Sequence, residues 1–289
     1  MFRKKKNEQG EPQEEALTTR HEKYDLVTSV LSDVGCVREL NEDSGDCVCP
    51  DDDALRASKG VLAIVADGMG GHSAGEVASG LAVETIRRAY YEDADEPQKA
   101  LKNAFQEANR EIYKAAERDE SKKGMGTTCT ALVLQDGTAI SAHVGDSRLY
   151  LVREGQIYLM TEDHSAVMEL VKAGAITLEQ ARHHPDKNVI LRAMGSHPEV
   201  EVATWKEPFP VKAGDSFLVC SDGLYDLVED EEIKQIIMIN NPRAACQNLV
   251  ALAKERGGHD NITVVITSLK PEGYNSRPIP ETREVEVRQ

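Results

Sequence analysis

The sequence predicts an α+β fold, and three observations lead to that class. Several short runs of apolar and β-branched residues, bounded by Gly and Asp, have the length and composition of strands. A smaller number of longer segments repeat apolar residues at helical spacing. The order is a strand, two helices, many strands and then helices, without the regular alternation of a doubly wound sheet. Helices that cover antiparallel sheets fit this order.

The strands and helices can be placed from these patterns in chain order. Asp136-Gly137, between two of the runs, is typical of a tight turn. The first helix begins at Ser73, where the spacing to Glu76 matches a capping box, and the next has Pro97 in its first turn. The predicted strands lie at residues 61–65, 127–134, 139–144, 149–153, 216–220 and 262–267. The predicted helices lie at residues 73–91, 97–115, 166–172, 230–239 and 242–256.

The chain of 289 residues is long enough for one large domain or two small ones. Residues 1–23 are polar and charged and are predicted to form a disordered arm. Residues 270–289 carry prolines among alternating charges and are predicted to form a disordered C-terminal tail. Residues 24–269 contain neither a flexible linker nor an internal repeat, so we expect one continuous domain there.

Composition excludes several classes of function. The chain has 50 Asp and Glu against 34 Lys and Arg, a formal net charge of −16, which disfavours nucleic-acid binding. This surplus either serves solubility or includes carboxylates that are pooled to hold metal cations. No apolar run approaches the roughly 18 residues that a membrane span needs. The basic start of the chain continues into polar residues rather than a signal-peptide core, so a cytoplasmic protein is expected.

The six cysteines exclude two kinds of site. No two of them form a CxxC pair, which argues against a zinc ribbon or a thioredoxin-like redox motif. No cysteine is followed by Arg six positions later, as a cysteine phosphatase would require. The sequence also lacks the Gly-rich P-loop pattern, and the acidic run Asp51-Asp52-Asp53 is interpreted as a solvated loop.

Four aspartates lie at the edges of predicted strands. Asp67, Asp146 and Asp222 each follow an apolar run, and Asp260 precedes the last one. A single Asp-Gly after a strand is usually only a turn, but four such carboxylates close together would repel one another unless cations lay between them. Carboxylates, the carbonyl of Gly68 and water are hard oxygen donors, which suit Mg²⁺ or Mn²⁺ rather than zinc.

Arg38 lies in a dense acidic cluster, residues 32–43, near the start of the predicted domain. An arginine alone is most often a surface residue. Beside a carboxylate and metal site it gains a use, because a guanidinium binds two oxygens of a phosphate in a fixed fork. The combination predicts phosphate chemistry assisted by metal ions.

These residues belong to a series of motifs that resembles the metal-dependent Ser/Thr protein phosphatase family, PPM or type 2C. The motifs occur in family order over about residues 25–268 and look like the bacterial branch, which often accompanies a Ser/Thr kinase. They are Ser32-Asp33-Val34-Gly35 with Arg38, Asn41-Glu42-Asp43, Asp67-Gly68-Met69-Gly70-Gly71-His72, Gly124-Met125-Gly126-Thr127-Thr128, Val144-Gly145-Asp146-Ser147-Arg148, Thr161-Glu162-Asp163-His164-Ser165, Ser221-Asp222-Gly223-Leu224 and Gly258-His259-Asp260-Asn261-Ile262-Thr263.

The resemblance implies a four-layer αββα sandwich with two central antiparallel β-sheets and a metal centre at one end. Asp67 would bridge two Mn²⁺ or Mg²⁺ ions, and the Gly68 carbonyl would bind one of them. Asp222 and Asp260 would complete the other ion's ligands. Asp146, with Asp222, would hold a weaker third ion.

The resemblance also implies roles beside the metals. Arg38 would grip the substrate phosphate and nothing else, Asp43 would hydrogen-bond metal waters, and Asn261 would support the site. The segment at about residues 165–199 would form a flap where substrates are sorted. Some relatives place a His where this chain has Met69, so the general acid stays open. Many have Asn at the position of His143, a difference that we expect to be tolerated.

The function that follows is hydrolysis of phosphoserine and phosphothreonine on proteins by a metal-activated water, with phosphoproteins and a cognate Ser/Thr kinase as partners. Two alternatives stay open. The chain could be a pseudophosphatase that only binds, although a module freed from catalysis need not keep every expected ligand. It could also act on small phosphate esters.

Overall fold

The computed structural model describes residues 24–70 and 74–273 together with the backbone of residues 287–288. The predicted N-terminal arm, most of the predicted C-terminal tail and Ser73, the expected helix cap, lie outside the described residues. The strands are β1 (Tyr24–Asp33), β2 (Asp43–Val48), β3 (Val61–Met69), β4 (Gly126–Thr127), β5 (Cys129–Gln135), β6 (Thr138–Val144), β7 (Arg148–Arg153), β8 (Gln156–Leu159), β9 (Ala203–Thr204), β10 (Phe209–Pro210), β11 (Ser216–Cys220), β12 (Ile262–Pro271) and β13 (Val287–Arg288). The helices are α1 (Asp53–Lys59), α2 (Ala74–Glu92), α3 (Pro97–Arg118), α4 (Ala166–Lys172), α5 (Leu178–Arg182), α6 (Asp222–Tyr225), α7 (Asp230–Ile239) and α8 (Pro242–Glu255), with a 3₁₀ turn at Glu120–Lys122.

The strands form two sheets. The first has the order β13-β1-β12-β11-β7-β8, and the second has the order β10-β6-β5-β3-β2, with β4 added to β3 and β9 to β6. Neighbouring strands run antiparallel, except that β13 lies parallel to β1.

Three separate apolar cores show that the molecule has four layers. One core lies between α2 and α3 and the outer face of the second sheet, and includes Ile64 and Phe105. Another lies between the helices α6, α7 and α8 and the outer face of the first sheet. The third joins the inner faces of the two sheets, where Leu132 and Phe217 are almost fully buried. The predicted four-layer sandwich is therefore confirmed.

The predicted strands and helices lie where the sequence places them, with three differences. The predicted strand at 127–134 is split at Thr128 into β4 and β5. The acidic run at 51–53 is not only a loop, because Asp52 caps α1 by accepting a hydrogen bond from the Leu55 amide. The sequence patterns also did not predict several elements, which are β1, β2, β8, β9, β10, β13, α1, α5 and α6. Within the described residues, no helix is both long and apolar enough to cross a membrane.

One end of the sandwich gathers the chain segments that carry the predicted site. The last residues of β3 pair with the first residues of β2. In the other sheet, the last residues of β1 and β11 pair with the first residues of β12. Since these ends lie together, the loops and the short helix α6 that follow them meet over one pocket.

Candidate active site

A pocket at this end of the sandwich brings six of the eight predicted site residues together. Asp43 and Asp146 are the two that do not line it, and both are buried. The pocket is lined by Arg38, Glu42, Asp67, Gly68, Met69, Gly70, Asn188, Ile190, Asp222, Asp260 and Asn261.

Asp67 is held by the split strand. Its backbone N–H donates to Thr128 Oγ1 at 3.1 Å, and its carbonyl accepts from Thr127 Oγ1 at 2.8 Å and from the Thr128 amide at 2.9 Å. At the interruption between β4 and β5, two threonines therefore hydrogen-bond to the backbone of Asp67. Asp67 itself belongs to β3, rather than to a turn after it.

Asp43 lies directly opposite Asp67 across the β2–β3 pair. Ser221 Oγ donates to Asp43 Oδ2 at 2.7 Å, and the same hydroxyl accepts from the Thr263 amide at 3.0 Å. Like charges opposite one another on neighbouring strands destabilise a sheet. Burial, together with neighbouring aspartates, raises the pKa of Asp43 to about 7.

The same conflict extends to the other carboxylates. Burial first, then Asp43, Asp222, Asp146 and Asp260, raise the pKa of Asp67 well above its ordinary value. Burial and the charge of Asp260 raise the pKa of Asp222 to about 7. These buried carboxylates repel one another, so the pocket favours bound protons or cations over free negative charge.

Gly68 sits where no side chain would fit. A Cβ on this residue would come within 2.2 Å of the Gly75 carbonyl oxygen and 2.4 Å of the Glu42 carbonyl oxygen. The amide of Gly68 donates to that same Glu42 oxygen at 3.1 Å. The glycine is therefore required for the close approach of α2 and the loop before β2 to β3.

Asp146 is buried behind the pocket and is linked to α6. Within the described residues its Oδ1 atom has no hydrogen-bond partner, although it is inaccessible to solvent. Burial and the charge of Asp222 raise the pKa of Asp146 well above its ordinary value. Tyr225 Oη donates to the Asp146 carbonyl at 3.1 Å, and the Arg148 guanidinium stacks 3.7 Å from the centre of the Tyr225 ring. An unpartnered buried carboxylate oxygen is costly and calls for a ligand.

Arg38 was expected to contact phosphate only, but in the structure it also contacts a predicted metal ligand. Its Nη2 donates to Asp260 Oδ2 at 2.9 Å, so the proposed phosphate grip is paired with a proposed metal ligand. The Arg38 side chain is 48% exposed, which leaves much of the guanidinium open towards the pocket mouth. Opposite charges account for the pair, because the Arg38 guanidinium is a cation within hydrogen-bond distance of the Asp260 carboxylate.

Asn261 fastens both ends of the loop that carries Arg38. Its Nδ2 donates to the carbonyls of Val34 and Leu40, each at 3.0 Å, and its Oδ1 accepts from the Glu42 amide at 2.8 Å. All three bonds go to backbone groups. Asn261 therefore acts as a positioning residue for the loop and not as a group aimed at substrate.

Sequence reasoning gave no role to four residues that line the pocket, which are Glu42, Gly70, Asn188 and Ile190. Glu42 lies between Asn41 and Asp43 in the acidic cluster, and its buried Oε1 has no partner among the described residues. Asn188 and Ile190 come from the predicted flap, which is held by the backbone bonds of Ala166 to Val189 and of Leu191 to His164, at 2.9 and 2.8 Å. The acidic context could have indicated Glu42, whereas nothing local marks Asn188 or Ile190.

The structure shows the surroundings of Met69 and His143, the two residues that differ from the family pattern. Met69 ends β3 and lines the pocket, so a side chain without an acidic proton occupies that place. His143 is 3% exposed and pairs through Nδ1 with Thr130 Oγ1 at 2.7 Å. Burial lowers the pKa of His143 to about 4, so the ring is neutral at physiological pH. A neutral ring with two polar atoms can replace an amide there.

The residues present fit divalent cations. Among the described residues, no three His, Cys, Asp or Glu side chains form a ready-made chelating cluster, so side chains alone do not enclose an ion. The pocket nevertheless supplies carboxylates that repel one another, and Asp146 Oδ1 lies unpartnered behind it. Oxygen donors of this kind, completed by a backbone carbonyl and water, suit Mg²⁺ and Mn²⁺. The orphaned oxygen and the crowded charges are what a bound cation would relieve.

Comparison with protein families supports the same chemistry. A model of the family described as Protein phosphatase 2C matches residues 45–255. The Serine/threonine phosphatase stp of Listeria innocua is 39% identical over 241 residues, which span 81% of this chain and 92% of that protein. The Protein phosphatase PhpP of Streptococcus pneumoniae is 36% identical over 252 residues, which span 86% of this chain and 99% of that protein.

Solved structures resemble the whole body of the fold. The Mycobacterium tuberculosis serine/threonine phosphatase PstP/Ppp superposes with a TM-score of 0.75 at 38% identity, covering 85% of this chain and 99% of that one. The catalytic domain of the serine threonine protein phosphatase PstP, solved in complex with two manganese ions, gives a TM-score of 0.72 at 35% identity, covering 85% and 98%.

Proposed function

The chain belongs to the protein phosphatase 2C family, and we propose that the residues of its pocket divide the work of a metal-dependent Ser/Thr protein phosphatase as follows. The enzyme hydrolyses phosphoserine and phosphothreonine on proteins by a metal-activated water. The observation that carries the assignment of the site is the convergence of mutually repelling carboxylates and one guanidinium on a single pocket.

Two ions are assigned to the pocket. Asp67 would be a ligand of both, the Gly68 carbonyl of one, and Asp222 and Asp260 of the other. The support for this division is that all four residues line the pocket and that three of them carry charges that need neutralising. Asp146 and Asp222 would hold a third, weaker ion, which is supported by the unpartnered Oδ1 of Asp146.

The chain's own side chains hold the substrate and order the site. Divalent cations held by these residues would supply the positive charge that lowers the pKa of water and neutralises the phosphoryl oxygens. Arg38 binds two phosphate oxygens through its open edge. Asn261 keeps the Arg38 loop in place, and Asp43 orders water beside Asp67. Met69 has no proton to give, so the leaving oxygen takes its proton from water and not from this side chain.

A cognate Ser/Thr kinase and a cytoplasmic location complete the proposal. The kinase is supported by the likeness to bacterial Ser/Thr phosphatases. The location is supported by the cysteines, all six of which are free thiols, as is usual in a reducing compartment.

The decisive experiment is hydrolysis of a phosphothreonine peptide with Mn²⁺, with Mn²⁺ and excess chelator, and with a sugar phosphate in place of the peptide. We expect rapid release of phosphate from the peptide with Mn²⁺ alone. Preference for the sugar phosphate would favour the small-ester phosphatase, and binding of the peptide without turnover would favour the pseudophosphatase.

A further inference from the structure

Exposed apolar side chains lie close in sequence to residues that line the pocket. Val37 precedes Arg38, Leu40 follows it by two residues, and they are 66% and 48% exposed. Val189 and Leu191 flank Ile190 on the flap and are 46% and 59% exposed. We call these four residues the apolar rim. Large apolar side chains exposed together on a surface this rich in charge are typical of a binding site.

The rim belongs to two segments that face the pocket from different parts of the fold. The loop of residues 34–42 contributes Arg38 and Glu42 to the lining, and the flap contributes Asn188 and Ile190. The loop is fastened by Asn261. The flap segment is fastened by the ion pair of Lys187 with Asp226 and by the backbone bond of Leu191 to His164. The rim is therefore built on segments that are tied down next to the reacting phosphate.

A polypeptide is the occupant that this arrangement fits. When a phosphoresidue enters the pocket, its chain neighbours lie about 3.8 Å per residue away along the backbone, so they extend past the residues that line the pocket. Among the carboxylates of the lining, Glu42 is not assigned to a metal ion, and its charge disfavours acidic neighbours. Apolar contact at the rim offers binding energy that a small ester cannot use.

We infer that the apolar rim selects phosphoprotein segments with apolar side chains directly beside the phosphoserine or phosphothreonine, an inference that rests on the proposed function. Arg38 and the metal ligands bind the phosphate, which is common to all substrates. Val37, Leu40, Val189 and Leu191 contact the flanking side chains, which differ between substrates.

The test uses three phosphothreonine peptides that carry Leu, Ser or Glu on both sides of the phosphothreonine and are otherwise identical. The quantity measured is the ratio of kcat/KM between two peptides on one enzyme preparation, so the fraction of active enzyme cancels. The full chain with Mn²⁺ should prefer the Leu peptide to the Ser peptide by about 5- to 10-fold, the effect of partly burying one or two leucine side chains. The Glu peptide should be the poorest.

The variant Val37→Ser/Leu191→Ser should lower the Leu/Ser ratio to below about 2. Its matched control is Ile239→Ser at the end of α7, which removes a side chain that is 81% exposed but remote from the pocket lining; this control should keep the full ratio. If the double variant is too poorly folded to assay, the single variants Val37→Ser and Val189→Ser should each lower the ratio by about half.

Equal turnover of the three peptides by the unmodified enzyme overturns the inference and leaves the proposed function standing. An unchanged Leu/Ser ratio of kcat/KM in the Val37→Ser/Leu191→Ser variant has the same consequence. Hydrolysis of p-nitrophenyl phosphate without turnover of any peptide overturns the proposed function, and the inference fails with it.

Discussion

The floor and the mouth of the pocket are built in opposite ways. The floor carries Asp67 on β3, with Asp43 buried opposite it on β2, and Asp222 on the helix after β11. The mouth is formed by the loop of residues 34–42 and by the flap, with side chains open to solvent. Charges that repel must be fixed by a rigid frame, whereas contacts with varied substrates need accessible side chains. Because different residues form the floor and the mouth, substitutions at the mouth should change substrate preference without changing the catalytic residues.

Among these variants, we expect Asp67→Asn to lower activity most. We expect kcat on a phosphothreonine peptide to fall by at least about 10³-fold at every Mn²⁺ concentration, because the proposed bridging charge is lost. The fold should persist, since Asn keeps the shape and removes a repelling charge. The measurements are kcat across a Mn²⁺ titration and the melting temperature in chelator. A folded variant with near-normal turnover would contradict the role of Asp67.

Arg38→Ala tests whether Arg38 binds the substrate phosphate or supports metal binding. We expect KM for the peptide to rise by about 10-fold, with poor rescue by Arg38→Lys because an ammonium lacks the fork. The pairing of Arg38 with Asp260 adds a second expectation: less Mn²⁺ should be needed for half-maximal activity, because a competing cation is gone. Steady-state kinetics at several Mn²⁺ concentrations measure both. A variant that needs more Mn²⁺ than the unmodified enzyme would show that Arg38 supports the metals instead.

Tyr225→Phe removes one hydrogen bond that supports the backbone of Asp146 but leaves the ring in place. The ring and its contact with Arg148 remain, and only the hydrogen bond to the Asp146 carbonyl is lost. One such bond is worth about 1 kcal/mol, so the Mn²⁺ concentration for half-maximal activity should rise by about 5-fold. Calorimetric Mn²⁺ titration provides a second readout, and Asp146→Ala should exceed the effect.

The matched control is Tyr150→Phe. The Tyr150 hydroxyl accepts from Arg148 in the same buried cluster, at 3.0 Å, but bonds to Asp230 rather than to Asp146. Equal Mn²⁺ responses in the two variants would mean that the hydroxyl of Tyr225 has only a structural role.

The smallest effect concerns pH and the metal-free floor. The pKa values of Asp43 and Asp222 are raised from 3.8 to about 7, so the folded protein binds more protons than the unfolded chain between these values. The free energy of unfolding should therefore fall as pH rises from about 4 to about 7. In chelator, we expect the melting temperature to decline across this window. Saturating Mn²⁺ should remove the decline at the upper end, and Asp43→Asn should reduce it; a rising melting temperature would contradict the assigned repulsion.

The floor was more predictable from the sequence than the mouth. Asp67, Asp146, Asp222 and Asp260 are marked locally, because each borders an apolar run. The pairing of Asp43 with Asp67 is not marked, since β2 has no apolar run of its own. Its residues, Asp43–Val48, gain strand geometry only by pairing with β3.

β1 was missed for a related reason. Most of its residues are only partly buried and polar residues interrupt its apolar ones, so its ten-residue pairing with β12 depends on tertiary contact. The split at Thr128 and the three backbone bonds of Asn261 are likewise relations between distant segments. Sequence spacing predicts which residue types gather, but not the hydrogen bonds that aim them.

The three hydrogen bonds of Asn261 to the backbone of the Arg38 loop have an evolutionary consequence. Asn261 binds main-chain atoms of Val34, Leu40 and Glu42, which every amino acid except proline, at the amide, would supply equally well. The shape of the loop is thereby insulated from the identity of its exposed side chains. Val37 and Leu40 can drift, or be replaced by design, while Arg38 stays in register. A lineage can change which proteins it dephosphorylates without rebuilding its catalyst.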